Sequence, residues 1–293
     1  MPKIGEVLRA FRRIAAIGFS IVAATLGNVA FAQAPVPGPV TQTYGGRDLL
    51  VYVPSRLPPR GARALVIVLH GAFGNASRIE SGAGEGGLGM DGVAEKHGFV
   101  VAYLNGTPVG RFVNPEARGW NAGSCCGVPA EDRIDDVRYV TGAAAFLSDE
   151  YGIDRNRIFG IGHSNGAMMT LRVLCEAGLY AAAVPISGPL DTTNDSCPAA
   201  RGKRILAIHG ADDQNVPIAG GHGSGISMTV FGSEERSRHA FVSAGATYDL
   251  QVVPGADHAL YNIDAAIQSA EGQSIADKAA RFFGLEPPRQ IRQ

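Results

Sequence analysis

Short apolar runs alternate along this chain with segments whose apolar positions recur every three or four residues. Residues 64–69 read ALVIVL, the continuous apolar run expected of a strand buried on both faces. Residues 49–53, 99–104, 157–161, 181–186, 204–208 and 248–253 are further strand candidates. Residues 135–151 carry Val137, Val140, Ala144, Leu147 and Tyr151 at spacings of 3, 4, 3 and 4, which predicts a helix closed by Gly152. Residues 165–177 predict a second helix, and residues 274–283, followed by Gly284, a last one. Strand alternating with helix implies an α/β fold, a mostly parallel sheet with helices on both faces.

Composition narrows the class. The 293 residues are 45% hydrophobic and 18% charged, which excludes disorder and a coiled coil. A formal net charge of −1 argues against a nucleic-acid partner bound through a basic surface. Thirty-nine glycines imply many tight turns and close backbone approaches. No internal repeat is present, so solenoids and propellers are excluded.

The first 32 residues read as an export signal. Lys3, Arg9, Arg12 and Arg13 precede an uncharged stretch from Ile14 to Ala32, which ends in the small-x-small pattern Ala30-Phe31-Ala32. The expected organisation is a signal at 1–32, a Pro-rich extended leader at 33–40 and one catalytic domain at 41–293. After cleavage the chain would be secreted or periplasmic, with no membrane association and a formal charge of −4. An oxidising compartment makes two disulfides of Cys125, Cys126, Cys175 and Cys197. A bond between the adjacent Cys125 and Cys126 would close a strained ring, so each is expected to join one of the other two. A metal site is not expected, because the CxxC spacing and a histidine pair are missing.

The sharpest chemical signal is Gly162-His163-Ser164-Asn165-Gly166, set between a predicted strand and a predicted helix. That context makes G-x-S-x-G a nucleophile elbow, which holds the serine exposed at the carboxyl end of a sheet. A nucleophilic serine needs a base, and the base needs an acid to orient it, in the chain order Ser, Asp, His. His209-Gly210-Ala211-Asp212-Asp213 leaves a strand end and offers two aspartates. Pro254-Gly255-Ala256-Asp257-His258 leaves the next strand end and offers His258 as the base.

The other histidines read as structural. His70 and His209 end strands before glycine, His163 packs inside the elbow, His97 ends a helix, His222 lies in a Gly/Ser-rich loop and His239 in a helical stretch. The oxyanion of an acyl-transfer intermediate needs backbone donors. Asn165, just after the serine, is one candidate. Ala72, in the turn Leu69-His70-Gly71-Ala72, is the other, with Phe73 next.

Several segments together carry a family resemblance: Leu69-His70-Gly71, Trp120-Asn121-Ala122-Gly123-Ser124-Cys125-Cys126-Gly127, the elbow with Ala167-Met168-Met169, and His209-Gly210-Ala211-Asp212-Asp213 with Val216-Pro217. Over roughly residues 40 to 260 the chain resembles the secreted polyhydroxybutyrate depolymerase and feruloyl esterase family of α/β-hydrolases. The resemblance implies that the acid is Asp213 rather than Asp212, and that the four cysteines form the family's disulfides. The chain departs from the family at Ala72, where many members have Cys or Gly. It departs again at Ala259-Leu260-Tyr261, where they continue T-W-P after the last histidine.

The reading is an exported serine hydrolase of carboxylic esters that needs no metal or organic cofactor. The resemblance implies hydroxyalkanoate esters or oligomers as substrate, with hydroxycinnamoyl or other short-chain esters as the alternative. Only Leu285 to Gln293 follow the last predicted helix, so a soluble ester is expected rather than a solid polymer. An amide hydrolase with the same triad, or a non-catalytic binding protein on the same fold, are the rival readings.

Overall fold

The run ALVIVL lies in the middle of the sheet, and its neighbours follow from the alternation of its side chains. In the computed structural model the described residues are 38–81, 86–111, 114–224 and 229–286. The predicted signal lies outside them. The described residues all fall within one compact unit, Pro35–Gln293.

In chain order the strands are β1 Gly38–Tyr44, β2 Arg47–Val53, β3 Arg63–Leu69, β4 Val100–Leu104, the two-residue β5 Thr107–Pro108 and β6 Arg118–Gly119, and β7 Ile153–His163. They continue with β8 Ala182–Ile186, β9 Arg204–Gly210, the two-residue β10 Gly221–His222 and β11 Val230–Phe231, and β12 Thr247–Val253. The helices are α1 Ala76–Ser81, α2 Met90–His97, α3 Gly127–Glu131, α4 Asp136–Tyr151, α5 Asn165–Ala177, α6 Glu234–Ser243, α7 Leu260–Glu271 and α8 Ile275–Phe283.

Among the described residues, eight strands form one sheet in the order β1-β2-β4-β3-β7-β8-β9-β12. From β4 to β12 all neighbours are parallel, and β2 alone is reversed, antiparallel to both of its neighbours β1 and β4. Strand side chains alternate between faces. Leu65, Ile67 and Leu69 therefore pack with Val140, Leu147 and Met168 of α4 and α5. Val66 and Val68 pack on the opposite face with Met90, Ile263 and Phe283 of α2, α7 and α8. Both faces are dry, which is why the strand needs no polar positions.

Local signals end the helices where the pattern predicts. The Asp135 carboxylate accepts from Arg138 N–H at 3.0 Å, and Ser274 Oγ accepts from Asp277 N–H at 3.0 Å, each satisfying an orphan donor. In α8, Ile275, Ala276, Ala279, Ala280 and Phe283 form one buried stripe.

The structure departs from the sequence reading at several points. Residues 38–40, assigned by composition to the leader, begin β1 and pair with Val53, Tyr52 and Val51. β7 starts at Ile153, four residues early, because the polar stretch Asp154-Arg155-Asn156 stays in the strand across a register shift against β3. α7 was not foreseen; its N-cap is Ala259, which makes no side-chain cap and leaves no local signal. The cysteine pairing also differs. Cys175, near the end of α5, bonds Cys197 just before the turn Pro198–Ala200, which packs on that helix. Cys125 and Cys126 pair with each other.

Candidate active site

The parallel sheet brings the carboxyl ends of β3, β7, β9 and β12 to one edge, and each chain segment leaving that edge contributes to one cluster. Ser164 follows β7 directly and adopts φ 55°, ψ −122°, a conformation rarely held by a non-glycine residue. Its N–H is held by the Ile186 carbonyl at 2.8 Å. The elbow packs so tightly on β3 that a Cβ on Gly166 would collide with the carbonyl oxygens of Leu69 and His70. The segment bearing His258 sits equally close to β9, where a Cβ on Gly210 would strike the carbonyls of Ala256 and Asp257.

His258 Nε2 lies 2.9 Å from Ser164 Oγ, and His258 Nδ1 donates to Asp213 Oδ2 at 2.7 Å. Asp213 is buried and Asp212 is exposed, so the two competing aspartates have opposite environments. The geometry that selects Asp213 is local: its Oδ1 accepts from the N–H groups of Asn215 and Val216, both at 2.9 Å. Burial alone would raise its pKa. The donors His209, His258 and the Val216 N–H outweigh burial and hold the carboxyl below its ordinary range. Asp212 instead uses its backbone N–H to tie the turn to the Ala256 carbonyl at 2.9 Å.

Two buried histidines flank the cluster and differ in character. His163 is pushed down to about 3, first by burial and then by the neighbouring His258. It is therefore neutral, and its Nε2 donates to the His258 carbonyl at 2.8 Å, bracing the loop that carries that residue. Burial alone would also lower His209, but hydrogen bonds to Asp213 and Glu234 outweigh it and raise the group to about 9. Nothing in the sequence pattern points to Glu234. It sits in the first turn of α6, a position where acidic residues favour the helix dipole and attract no notice.

The candidate oxyanion donors fall next to the serine. Asn165 opens α5, so its backbone N–H has no acceptor within the helix. Gly71 lies against Ser164, with its ideal Cβ position 3.3 Å from Ser164 Cβ, and Ala72 follows it in the chain. The turn closes through Gly74 N–H to the Gly71 carbonyl at 3.1 Å, with Phe73 at φ 64°. His70 fixes that turn: its Nδ1 donates to the Gly71 carbonyl at 2.7 Å and its Nε2 accepts from Gly106 N–H at 3.1 Å. Beside it opens a cavity of ≈ 160 Å³ lined by Ala72, Phe73, Arg78, His163 and Leu260 among others.

The Trp120–Gly127 segment reaches the site through Asn165. The indole of Trp120, fully buried, donates to the His70 carbonyl at 2.9 Å and so joins this segment to the candidate oxyanion turn. Among the described residues no group of three His, Cys, Asp or Glu side chains is arranged to hold a metal ion. No helix among them is long and apolar enough to cross a membrane.

This architecture is the α/β-hydrolase fold. A family model described as phospholipase/carboxylesterase matches residues 147–247, which run from α4 through the elbow to the start of β12. The candidate esterase NocK of Nocardia uniformis subsp. tsuyamanensis is 28% identical over 166 residues, 55% of this chain and 43% of that protein. The match thus spans less than half of that relative's length. Among solved structures, LpqC, a poly(3-hydroxybutyrate) depolymerase from Bordetella parapertussis, superposes with a TM-score of 0.55 at 17% identity, covering 84% of this chain and 95% of that one. The feruloyl esterase module from Clostridium thermocellum gives 0.55 at 16% identity, covering 87% and 91%. These likenesses bear out, at the level of the fold, the resemblance drawn from the motifs.

Proposed function

We propose that this chain is an exported serine hydrolase of carboxylic esters, acting first on hydroxyalkanoate esters or their oligomers. One observation carries the reading: the unbroken chain of contacts from Ser164 Oγ through His258 to Asp213 at the end of a parallel sheet. Ser164 attacks the acyl carbon while His258 Nε2 takes its proton. Asp213 holds the imidazole and stabilises its charged form. The N–H groups of Ala72 and Asn165 stabilise the oxyanion. His258 returns the proton to the leaving alkoxide, and water then repeats the attack, releasing the acid and regenerating Ser164. These steps use no metal or organic cofactor.

The cavity beside Ala72 is smaller than the roughly 300–1,000 Å³ of pockets that enclose a drug-sized ligand, which suits a short acyl group. The motif resemblance supports hydroxyalkanoate as that group. A second reading, a hydroxycinnamoyl ester, is favoured by Phe73, an aromatic ring 39% exposed on the cavity wall. The charged, apolar and small-x-small pattern of residues 1–32 supports export.

A fluorophosphonate probe should label Ser164 alone, and Ser164→Ala should lose about 10⁴- to 10⁶-fold in turnover with the fold intact. Initial rates on soluble hydroxybutyrate oligomers, methyl ferulate and a polyhydroxybutyrate film then rank the substrates. An active Ser164→Ala protein overturns the mechanism. Rapid clearing of the film with slow oligomer turnover overturns the substrate.

A further inference from the structure

The most unusual buried feature is a string of polar side chains running away from Asp213 on the side opposite His258. His209 lies at the end of β9, fully buried. Its Nδ1 faces Glu234 Oε1 at 2.8 Å, and its Nε2 faces the Val216 carbonyl at 2.8 Å and Asp213 Oδ2 at 3.3 Å. The other Glu234 oxygen accepts from the Tyr248 hydroxyl at 2.5 Å. Glu234 comes from α6 and reaches the imidazole directly, and Tyr248 from β12 holds Glu234 from behind.

We infer that His209 is a positioning residue for the proposed ester hydrolysis: an imidazolium, gripped by Glu234, whose Nε2–H donates to the 213–216 turn and fixes Asp213 against His258. The inference rests on the hydrolase reading above. Its ground is a count of donors and acceptors. Every described polar atom around the two ring nitrogens accepts, namely two carboxylate oxygens and one carbonyl. A neutral imidazole has one N–H and one lone pair. In either tautomer that lone pair would point at oxygen in a site closed to water. Only the doubly protonated ring satisfies all three contacts, and the two carboxylates repay the burial of its charge.

The charged groups facing His209 are Asp213 from the turn after β9 and Glu234 from α6. Tyr248 of β12 stands behind Glu234, and His258 and His163 stand beyond Asp213. With His209 charged, Asp213 Oδ2 receives two side-chain donors and Oδ1 two backbone donors. Loss of the Nε2 proton leaves a lone pair against the Val216 carbonyl and Asp213. The turn then loosens, and His258 loses the orientation that proton transfer needs. The raised pKa of His209, about 9, agrees with this geometry and dates the loss to alkaline pH.

The test begins with the wild-type protein. Nitrogen shifts of ¹⁵N-labelled histidine should show His209 with both nitrogens protonated at pH 7, losing one proton near pH 9. The pH profile of kcat should fall on its alkaline side through the same value. Glu234→Gln keeps an acceptor for Nδ1–H but removes the carboxylate, so the alkaline limb should move to lower pH with KM little changed. His209→Gln should abolish that limb and lower kcat by up to about 10²-fold, the scale of a small misplacement in a catalytic constellation. An active esterase whose His209 carries one proton at pH 7, or whose alkaline limb stays in place in Glu234→Gln, overturns the inference and leaves the ester reading standing. A wild-type protein that hydrolyses no ester overturns the ester reading and with it the catalytic role, even where the nitrogen shifts show an imidazolium.

Discussion

The side-chain amide of Asn165 bonds both the backbone N–H and the carbonyl of Trp120. Its Oδ1 accepts from Trp120 N–H at 2.7 Å and its Nδ2 donates to the Trp120 carbonyl at 3.1 Å. The residue after Ser164 thereby has two roles to offer: its backbone N–H is a candidate oxyanion donor, and its side chain pins the Trp120–Gly127 segment to the elbow. The W-N-x-G-x-C-C-G run and the elbow are thus joined directly.

Asn165→Ala should separate the two jobs. Both residues are buried, so the change leaves the Trp120 N–H unpaired, at about 1–3 kcal/mol, while the Trp120 carbonyl keeps the N–H groups of Ala122 and Cys126. The backbone N–H survives, so kcat in the folded protein should fall by no more than about tenfold. Urea unfolding and steady-state kinetics on the same preparation decide it. A stable variant that loses activity as Ser164→Ala does would mean that the amide itself contacts the substrate.

The disulfides should map as Cys175–Cys197 and Cys125–Cys126 under non-reducing conditions. The first closes a separation of 22 residues, and a loop of that size is worth about 3 kcal/mol through the unfolded chain. The second links neighbours and restricts little that the chain does not already restrict. Cys175→Ser with Cys197→Ser should therefore lower Tm clearly, and Cys125→Ser with Cys126→Ser much less. A peptide joining Cys125 or Cys126 to Cys175 or Cys197 would reverse this assignment.

Stability should depend on pH in opposite senses through two adjacent groups. His209 binds its proton more tightly in the folded chain, about 9 against about 6.5 for a free imidazole. Its contribution is full below pH about 6.5 and is lost as pH rises through about 9. Asp213 is held below its ordinary range, so its contribution is present above pH about 3.9 and is lost as pH falls through the folded value. The stability gap between wild type and His209→Gln should thus narrow between pH 6.5 and 9. A gap that stays constant over that interval would show that His209 exchanges no proton on unfolding.

What the sequence revealed and what it hid divide along a physical line. Ser164, His258 and the strands beneath them announce themselves locally, through flanking glycines and apolar runs that the backbone itself requires. The buried partners of His209 do not. Glu234 meets it, and Tyr248 meets Glu234, only because α6 and β12 fold back beside β9, and each looks ordinary in its own segment. The cysteine pairing is hidden for the same reason, since it depends on where the end of α5 meets the turn Pro198–Ala200. His209 itself was visible, but as a strand-ending residue beside a glycine. Its charge depends on three acceptors that no spacing predicts.

The choice between Asp212 and Asp213 is where a one-residue difference carries the most chemistry. Asp213 Oδ2 meets His258 Nδ1 at 2.7 Å, while the exposed Asp212 contributes its backbone to the turn. Asp213→Asn puts an amide opposite Nδ1. Where its NH₂ faces the ring, His258 must present a lone pair at Nδ1 and a proton at Nε2, the wrong tautomer to accept from Ser164. Such a change costs about 10⁴ in turnover in a well-studied triad. Asn in place of Asp213 also strips a carboxylate from His209, so the variant should lose stability as well. Asp212→Asn keeps the backbone N–H that bonds Ala256 and should leave kcat within about twofold and stability within about 0.5 kcal/mol, as for most exposed substitutions. Parallel kcat and urea-midpoint measurements on the two variants check both halves. Equal losses, or a larger loss at Asp212, would move the acid by one position and with it the inferred role of His209.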